Sequence, residues 1–229
     1  MKTIFSVDAE KKLLHTQTGV ITLTAIAAAA QKNLLLTVDP ASKAASSLGG
    51  NIAENAGGPF AFEYGTTLDN IHSYTMVLPD ARIIEVHRKD HPRHKIMPAD
   101  TAVFEVFDQA GNLINAITLR GDEIRGPGLG KDVSNKFLGG LPGVQKEGVD
   151  GVITEATFIL HDRLPHSRVL CLEFFGRSMR HAMLVIRDVV GLRDRIRQEG
   201  DAVKIAALEE VGPKSGRAIN DAKTSATYE

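Results

Sequence analysis

The chain has 229 residues, room for one large domain or two small ones, and its 43% hydrophobic and 24% charged residues are an ordinary globular composition. With 27 basic against 28 acidic residues, a formal net charge of -1, bulk attraction to nucleic acid or to an anionic membrane is excluded. One cysteine, Cys171, excludes an internal disulfide and fits a reducing compartment.

No segment approaches the ~20 apolar residues needed to cross a bilayer, and the start "MKTIFSVDAEKK" lacks a secretion-signal core. The expected location is cytoplasmic, at most peripheral to the inner membrane. Ile4, Phe5 and Val7, a turn at Asp8–Glu10, then Leu13 and Leu14 predict a β-hairpin closed by Gly19. Thr22 or Thr24 is expected to cap an alanine-rich helix running to Gln31. Leu34 to Val38 predicts a short extended piece. From Asn70 the pattern turns to strands: "IHSYTMVL" and "RIIEVHR" form one hairpin, "TAVFEVFD" and "LINAITL" a second. "SNKFLGGLPG" suggests a short helix, and Gly151 to Leu160 reads as a strand. Punctuation at "DRLPHS" sets a boundary, giving residues 1–164 and 165–229 as two units. The second is expected to run strand ("RVLCLEFFG"), helix (Ser178 to Gly200) and strand ("AVKIAALEEV"). Met179, Met183, Ile186, Val190 and Leu192 form the helix's expected core stripe, and Cys171 reads as a small buried hydrophobe.

The stretch "SSLGGNIAENAGGPFAFEYG", Ser46 to Gly65, fits neither a linker nor a helix. Glycine pairs let backbone approach a flat or phosphate-bearing ligand, and successive N–H groups in such turns attract anions. A short helix starting near Gly50 would aim its N-terminus at an anion. Asn51 and Asn55 add amide donors and acceptors. The alternative is backbone packed on backbone, and spacing alone leaves the two readings level. G-x-G-x-x-G after a strand is missing, which argues against an ordinary dinucleotide-binding βαβ unit.

Other clusters carry weaker chemistry. His87, His91 and His94 with Asp90 are too loosely spaced for a metal site, and none is expected. "RKDHPRHK", Arg88 to Lys95, reads as a solvated basic loop, without the aromatics of a nucleic-acid surface. Arg120, Arg125 and Lys131 read as surface charge. Ser46, Ser47 and Ser134 lack a G-x-S-x-G context, so nucleophilic catalysis is not expected.

"DPASKAASSLGGNIAENAGGPFAFEYGTTLDNI" resembles the FAD-linked oxidases that share the flavin fold of vanillyl-alcohol oxidase and p-cresol methylhydroxylase (PCMH). "GKDVSNKFLGGLPGVQKEGVDGVITEAT" resembles the same family's second block, in the right order. The nearest resemblance is to D-lactate dehydrogenase and glycolate oxidase-like flavoproteins. It implies an α+β fold: the second half of a PCMH-type FAD-binding domain, a mixed or antiparallel sheet with flanking helices, followed by the start of an α+β substrate cap domain. It implies FAD as cofactor, met by Pro40, Ser47, Gly49, Gly50, Asn51, Asn55, Gly57, Gly58, Tyr64 and Gly65 from the first block. Glu147, Gly148, Gly151, Val152 and Ile153 meet it from the second, largely through main-chain groups.

The implied reaction is hydride transfer from a D-2-hydroxy acid, such as D-lactate or glycolate, to the flavin, with a separate electron acceptor. The alternative is a non-catalytic remnant or assembly module of a split flavoprotein. No catalytic residue is identified. The family's earlier Pro-x-Gly-Gly-Gly-Thr loop and full cap sheet find no counterpart, so the chain is expected to be a middle piece, working with a companion chain or as a homodimer. Where the family has Gly-Ser before Glu-Gly, this chain has Gln145-Lys146.

Overall fold

The computed structural model describes residues 1–125, 135–172, 174, 180–200 and 203–208. Its centre is a seven-stranded, wholly antiparallel sheet. A first hairpin joins β1 (Ile4–Asp8) to β2 (Leu13–Gln17). The short β3 (Leu34–Leu35) stands outside the sheet and pairs with β9 (His161–Asp162). Two further hairpins join β4 (Ile71–Val77) to β5 (Ile83–Arg88), and β6 (Thr101–Asp108) to β7 (Leu113–Arg120). β8 (Val152–Ile159) enters between β2 and β4, so the sheet order is β1-β2-β8-β4-β5-β6-β7. The α+β class and the antiparallel sheet are as expected.

Period-two alternation explains why these segments are strands. In β6, Ala102, Phe104 and Val106 turn inward, and Leu14, Tyr74, Met76, Val86 and Phe158 continue that face in neighbouring strands. α1 (Thr22–Ala30) covers it through Ala25 and Ala29. α2 (Leu48–Ala53) adds Leu48 and Ile52, both fully buried. The short α3 (Ala61–Tyr64), α4 (Thr67–Asn70) and α5 (Gly121–Ile124), and a 3-10 turn at Leu138–Gly140, complete the layer. α6 (Arg180–Glu199) lies against α3: Arg193 donates to the Phe62 carbonyl at 3.1 Å, and Arg197 reaches Glu63 at 2.6 Å.

Several expectations are corrected. The residue preceding α1 is Ile21, with no side-chain cap bond. The Thr22 hydroxyl instead accepts from Asn51 and contacts Ser46, a tertiary role that outweighs capping. No strand forms among the described residues of "RVLCLEFFG", 168–172 and 174, which are irregular and exposed, Val169 at 98%. Cys171 is exposed, not buried. Residues 203–208 are likewise irregular, so no β-α-β unit forms among the described residues. Without a partner strand, an apolar run alone cannot hold a strand. The described helix starts at Arg180, and Ser178 and Met179 lie outside the described residues. Met183 and Leu192 of its predicted stripe are exposed, because the helix docks through arginines.

Candidate functional site

The glycine stretch folds as turns around α2. Ser47 is its N-cap, and its hydroxyl accepts from the Gly50 N–H at 3.2 Å. The helix begins at Leu48 rather than near Gly50. Its first amides are occupied within the chain: Leu48 donates to the Val20 carbonyl at 3.0 Å and Gly49 to the Thr18 carbonyl at 2.8 Å. This end of α2 therefore offers no row of unused donors to an anion.

The two sequence blocks meet at the other end of α2. Gln145 N–H donates to the Ile52 carbonyl at 3.2 Å, and Glu147 N–H to the Ala53 carbonyl at 2.9 Å. Asn55, in the left-handed region at φ 50°, donates from Nδ2 to Gln145 Oε1 at 3.2 Å. Its Oδ1 accepts from the Leu68 N–H at 2.8 Å, tying the turn to α4. The family's Gly-Ser replacement thus acquires a structural role. The Lys146 ammonium fastens the turn by donating to the Lys136 and Phe137 carbonyls at 2.8 and 2.9 Å. Burial pushes its pKa down, against the pull of Asp150.

The glycines divide by what surrounds them. A Cβ on Gly49 would press on Thr18, one on Gly58 would land on Asp39, and one on Gly65 on the Asp69 carboxylate. Gly57 faces the Ala61 methyl, and Gly151 the Met76 side chain and Val77 carbonyl. These five satisfy the packing alternative. Gly50 meets only the Ser47 hydroxyl at 3.4 Å, and Gly148, at φ 73°, meets nothing within 4 Å. Gly50 and Gly148 are exposed, as are Glu147 and Val152. Asn51, Tyr64 and Ile153 are buried, and Pro40 and Ser47 are half-buried. Thr18 bridges the blocks, its hydroxyl donating to the Ile153 carbonyl while its own carbonyl holds Gly49.

Beneath the glycines lies a charged interior, where the sequence predicts surface. Asp69 closes a capping box on Thr66 and accepts from the Ile96 N–H at 2.8 Å. It also takes a buried ion pair from Arg125. Lys95 is buried, donates to the Ala61 carbonyl at 3.4 Å, and has its pKa lowered to about 8 by burial and the nearby Arg125 charge. Arg88 is also buried. The expectation of a solvated loop fails at both ends of "RKDHPRHK", and that of a surface Arg125 fails too. Arg120 is exposed beside Asp122, while Lys131 and Ser134 lie outside the described residues. Residues near in space but remote in sequence, such as 69 and 125, leave no local signal.

A second polar line runs under Tyr64. His161 lies beside its ring at 4.6 Å, and its Nε2 meets Asn70 Oδ1 at 2.9 Å. Thr37 donates to the same oxygen at 3.0 Å, and Asn70 Nδ2 donates to the Tyr64 and Thr66 carbonyls. Burial lowers the His161 pKa to about 4 and raises that of Tyr64 to about 12, helped by Glu63. No group of three or more metal-ligating side chains gathers among the described residues, and no described helix is long and apolar enough to cross a membrane.

Known proteins share parts of this sequence. Residues 1–87 match the family described as FAD binding domain. The resemblance to the FAD-linked oxidases holds, and FAD is the cofactor for which this domain type is built. Over 189 residues the chain is 31% identical to the glycolate oxidase subunit GlcD of Escherichia coli (strain K12), a match covering 82% of this chain and 29% of that protein. The chain thus spans less than a third of that relative's length. A D-lactate dehydrogenase of Anaerostipes hadrus is 37% identical over 86 residues, 38% of this chain and 18% of its own. Among solved structures, an alkyldihydroxyacetonephosphate synthase superposes with TM-score 0.43 at 20% identity, covering 71% of this chain and 22% of that one.

Proposed function

We propose that this chain provides the FAD-binding portion of a flavin-dependent oxidoreductase acting on a D-2-hydroxy acid such as D-lactate or glycolate. What carries the reading is the junction of the two blocks. Segments 90 residues or more apart in sequence, Asn51–Asn55 and Gln145–Gly148, are hydrogen-bonded into one surface. That surface leaves Gly50 with neither a packing nor a backbone reason to be glycine, whereas Gly148 is also called for by its left-handed φ of 73°. A site where backbone must approach a ligand is a further reason. FAD, when bound, supplies the hydride acceptor; the chain's task is to place it and keep the surrounding backbone fixed.

In this reading Gly50, Glu147, Gly148 and Val152 face the cofactor. Gly49, Asn51, Asn55, Gly57, Gly58, Gly65, Gly151 and Ile153 hold the turns that present them, with Pro40, Ser47 and Tyr64 at the margin. Residues 1–164 form the FAD-binding part and 165–229 lead into a substrate cap. A separate electron acceptor and a companion chain complete the enzyme, consistent with a relative named as a subunit.

The test is titration of the purified chain with FAD, followed by flavin fluorescence and visible absorption. Saturable binding that weakens in Gly50→Val supports the reading and opens a screen of 2-hydroxy acids. No uptake, alone or with a companion chain, would leave a non-catalytic assembly module as the better account. Gly58→Val is a poor probe, because its side chain collides with Asp39 whether or not FAD binds.

A further inference from the structure

The loop between β5 and β6 buries charge that the flavin reading does not use. Arg88 is only 5% exposed, with its guanidinium carbon 5.1 Å from the Phe104 ring centroid. Its Nε and Nη1 have no hydrogen-bond partner. His91 Nε2 is also buried and has no hydrogen-bond partner. His91 Nδ1 accepts from the Arg93 N–H at 2.9 Å, so the neutral ring carries its proton on Nε2. All three unsatisfied atoms are donors. What this loop lacks is an acceptor, and an unmet buried charge is costly.

Arg88 lines a cavity of about 300 Å³ together with Lys89, Asp90, His94, Asp100 and Thr101. That volume is at the small end of ligand sites, several times the share of one water. The carboxylates already there are engaged or outward. Asp100 accepts from the Met97 N–H at 2.8 Å and lies 3.6 Å from His94. Asp90 is exposed. Their charge opposes a dianion more strongly than a monoanion, while a guanidinium matches a planar carboxylate.

We propose that Arg88 anchors a site for a small monocarboxylate, in the cavity between the end of β5, the 89–100 loop and the start of β6. The unbonded nitrogens are sealed from solvent, so the guanidinium turns toward the cavity as it takes the ligand. Lys89, held 3.2 Å from Glu105, adds positive charge at the rim.

The experiment is thermal unfolding of the full chain and of Arg88→Met, at constant ionic strength, with acetate, glycolate or inorganic phosphate. The wild type should show a saturable rise of roughly a few °C with acetate and glycolate. Arg88→Met should show none, and without ligand should melt no lower than the wild type, because an unpaired buried charge is gone. A wild type without a saturable response, an equal response in Arg88→Met, or a response to phosphate alone overturns the proposal. Should Arg88→Met not fold, the ¹⁵N-arginine side-chain spectrum decides: an Nε resonance moving saturably with acetate supports the site, and no movement overturns it. FAD takes no part, so this result stands apart from the flavin titration.

Discussion

Gly50 and Gly58 look alike in sequence and answer to opposite demands. Gly50 sits inside α2 with room for a methyl, and Gly58 lies against Asp39. Gly50→Ala should raise the chain's stability by about 0.5–1 kcal/mol, because alanine is the better helix former, and should weaken FAD binding. Denaturant unfolding and FAD titration on the same variant check both signs; loss of stability with unchanged FAD affinity would refute the assignment. Gly58→Ala should cost about 1–3 kcal/mol, as overpacking does. Asp69→Asn strands Arg125 in the interior and should cost about 3–5 kcal/mol, read as a lowered urea midpoint. The glycines were legible as a site or as packing, and the structure divides them between the two. The Asp69–Arg125 pair was invisible, since charge in a sequence carries no address in space.

At the scale of elements, the turn at Gln145–Gly148 depends on one side chain. Lys146 holds two carbonyls of the preceding segment while its neighbours hold α2. Lys146→Met should loosen that junction without unfolding the sheet. The expected result is faster amide exchange at Gln145 and Glu147, with β4 and β8 unchanged, measured by hydrogen exchange. Uniform acceleration would show instead that Lys146 supports the whole domain. The hairpins and β8 were readable from alternation and turn residues, because each finds its partner strand nearby or across a continuous core. "RVLCLEFFG" reads as a buried strand from its apolar run, and its described residues form none, since pairing depends on a neighbour that an apolar run does not supply. α6 misled differently: its apolar residues suggested the docking face, but Arg193 and Arg197 make the contacts.

For the molecule as a whole, buried imidazoles set its response to acid, with His72 lowered by burial in the same direction as the two with the larger shifts. Burial lowers the His161 pKa to about 4 and, with the Arg88 charge, the His91 pKa to about 3. Freed by unfolding, each titrates near 6.5, so below that pH the unfolded chain binds more protons. The histidine contribution should therefore be full above about pH 6.5. It should fall by up to about 1.4 kcal/mol per pH unit for each histidine, until His161 protonates in the folded chain near pH 4 and His91 near 3. Urea midpoints from pH 7 to 5 measure the slope, and His161→Gln should reduce it. A flat profile over that range would mean both rings are more accessible than their surroundings indicate.

The place of β8 has a consequence for how the chain is made. β2 ends at Gln17, and the strand that pairs with it begins at Val152. A ribosome adding roughly 5–20 residues per second takes on the order of ten seconds to travel between them. Until then the first hairpin, and the β4–β5 hairpin once residue 88 has been added, have no strand to join them, their inner edges open to other nascent chains. Closure of this sheet therefore waits until its other six strands have been made. Crowding of ribosomes on the message, or a pause before codon 152, should affect its yield of soluble protein more than any change in the completed fold.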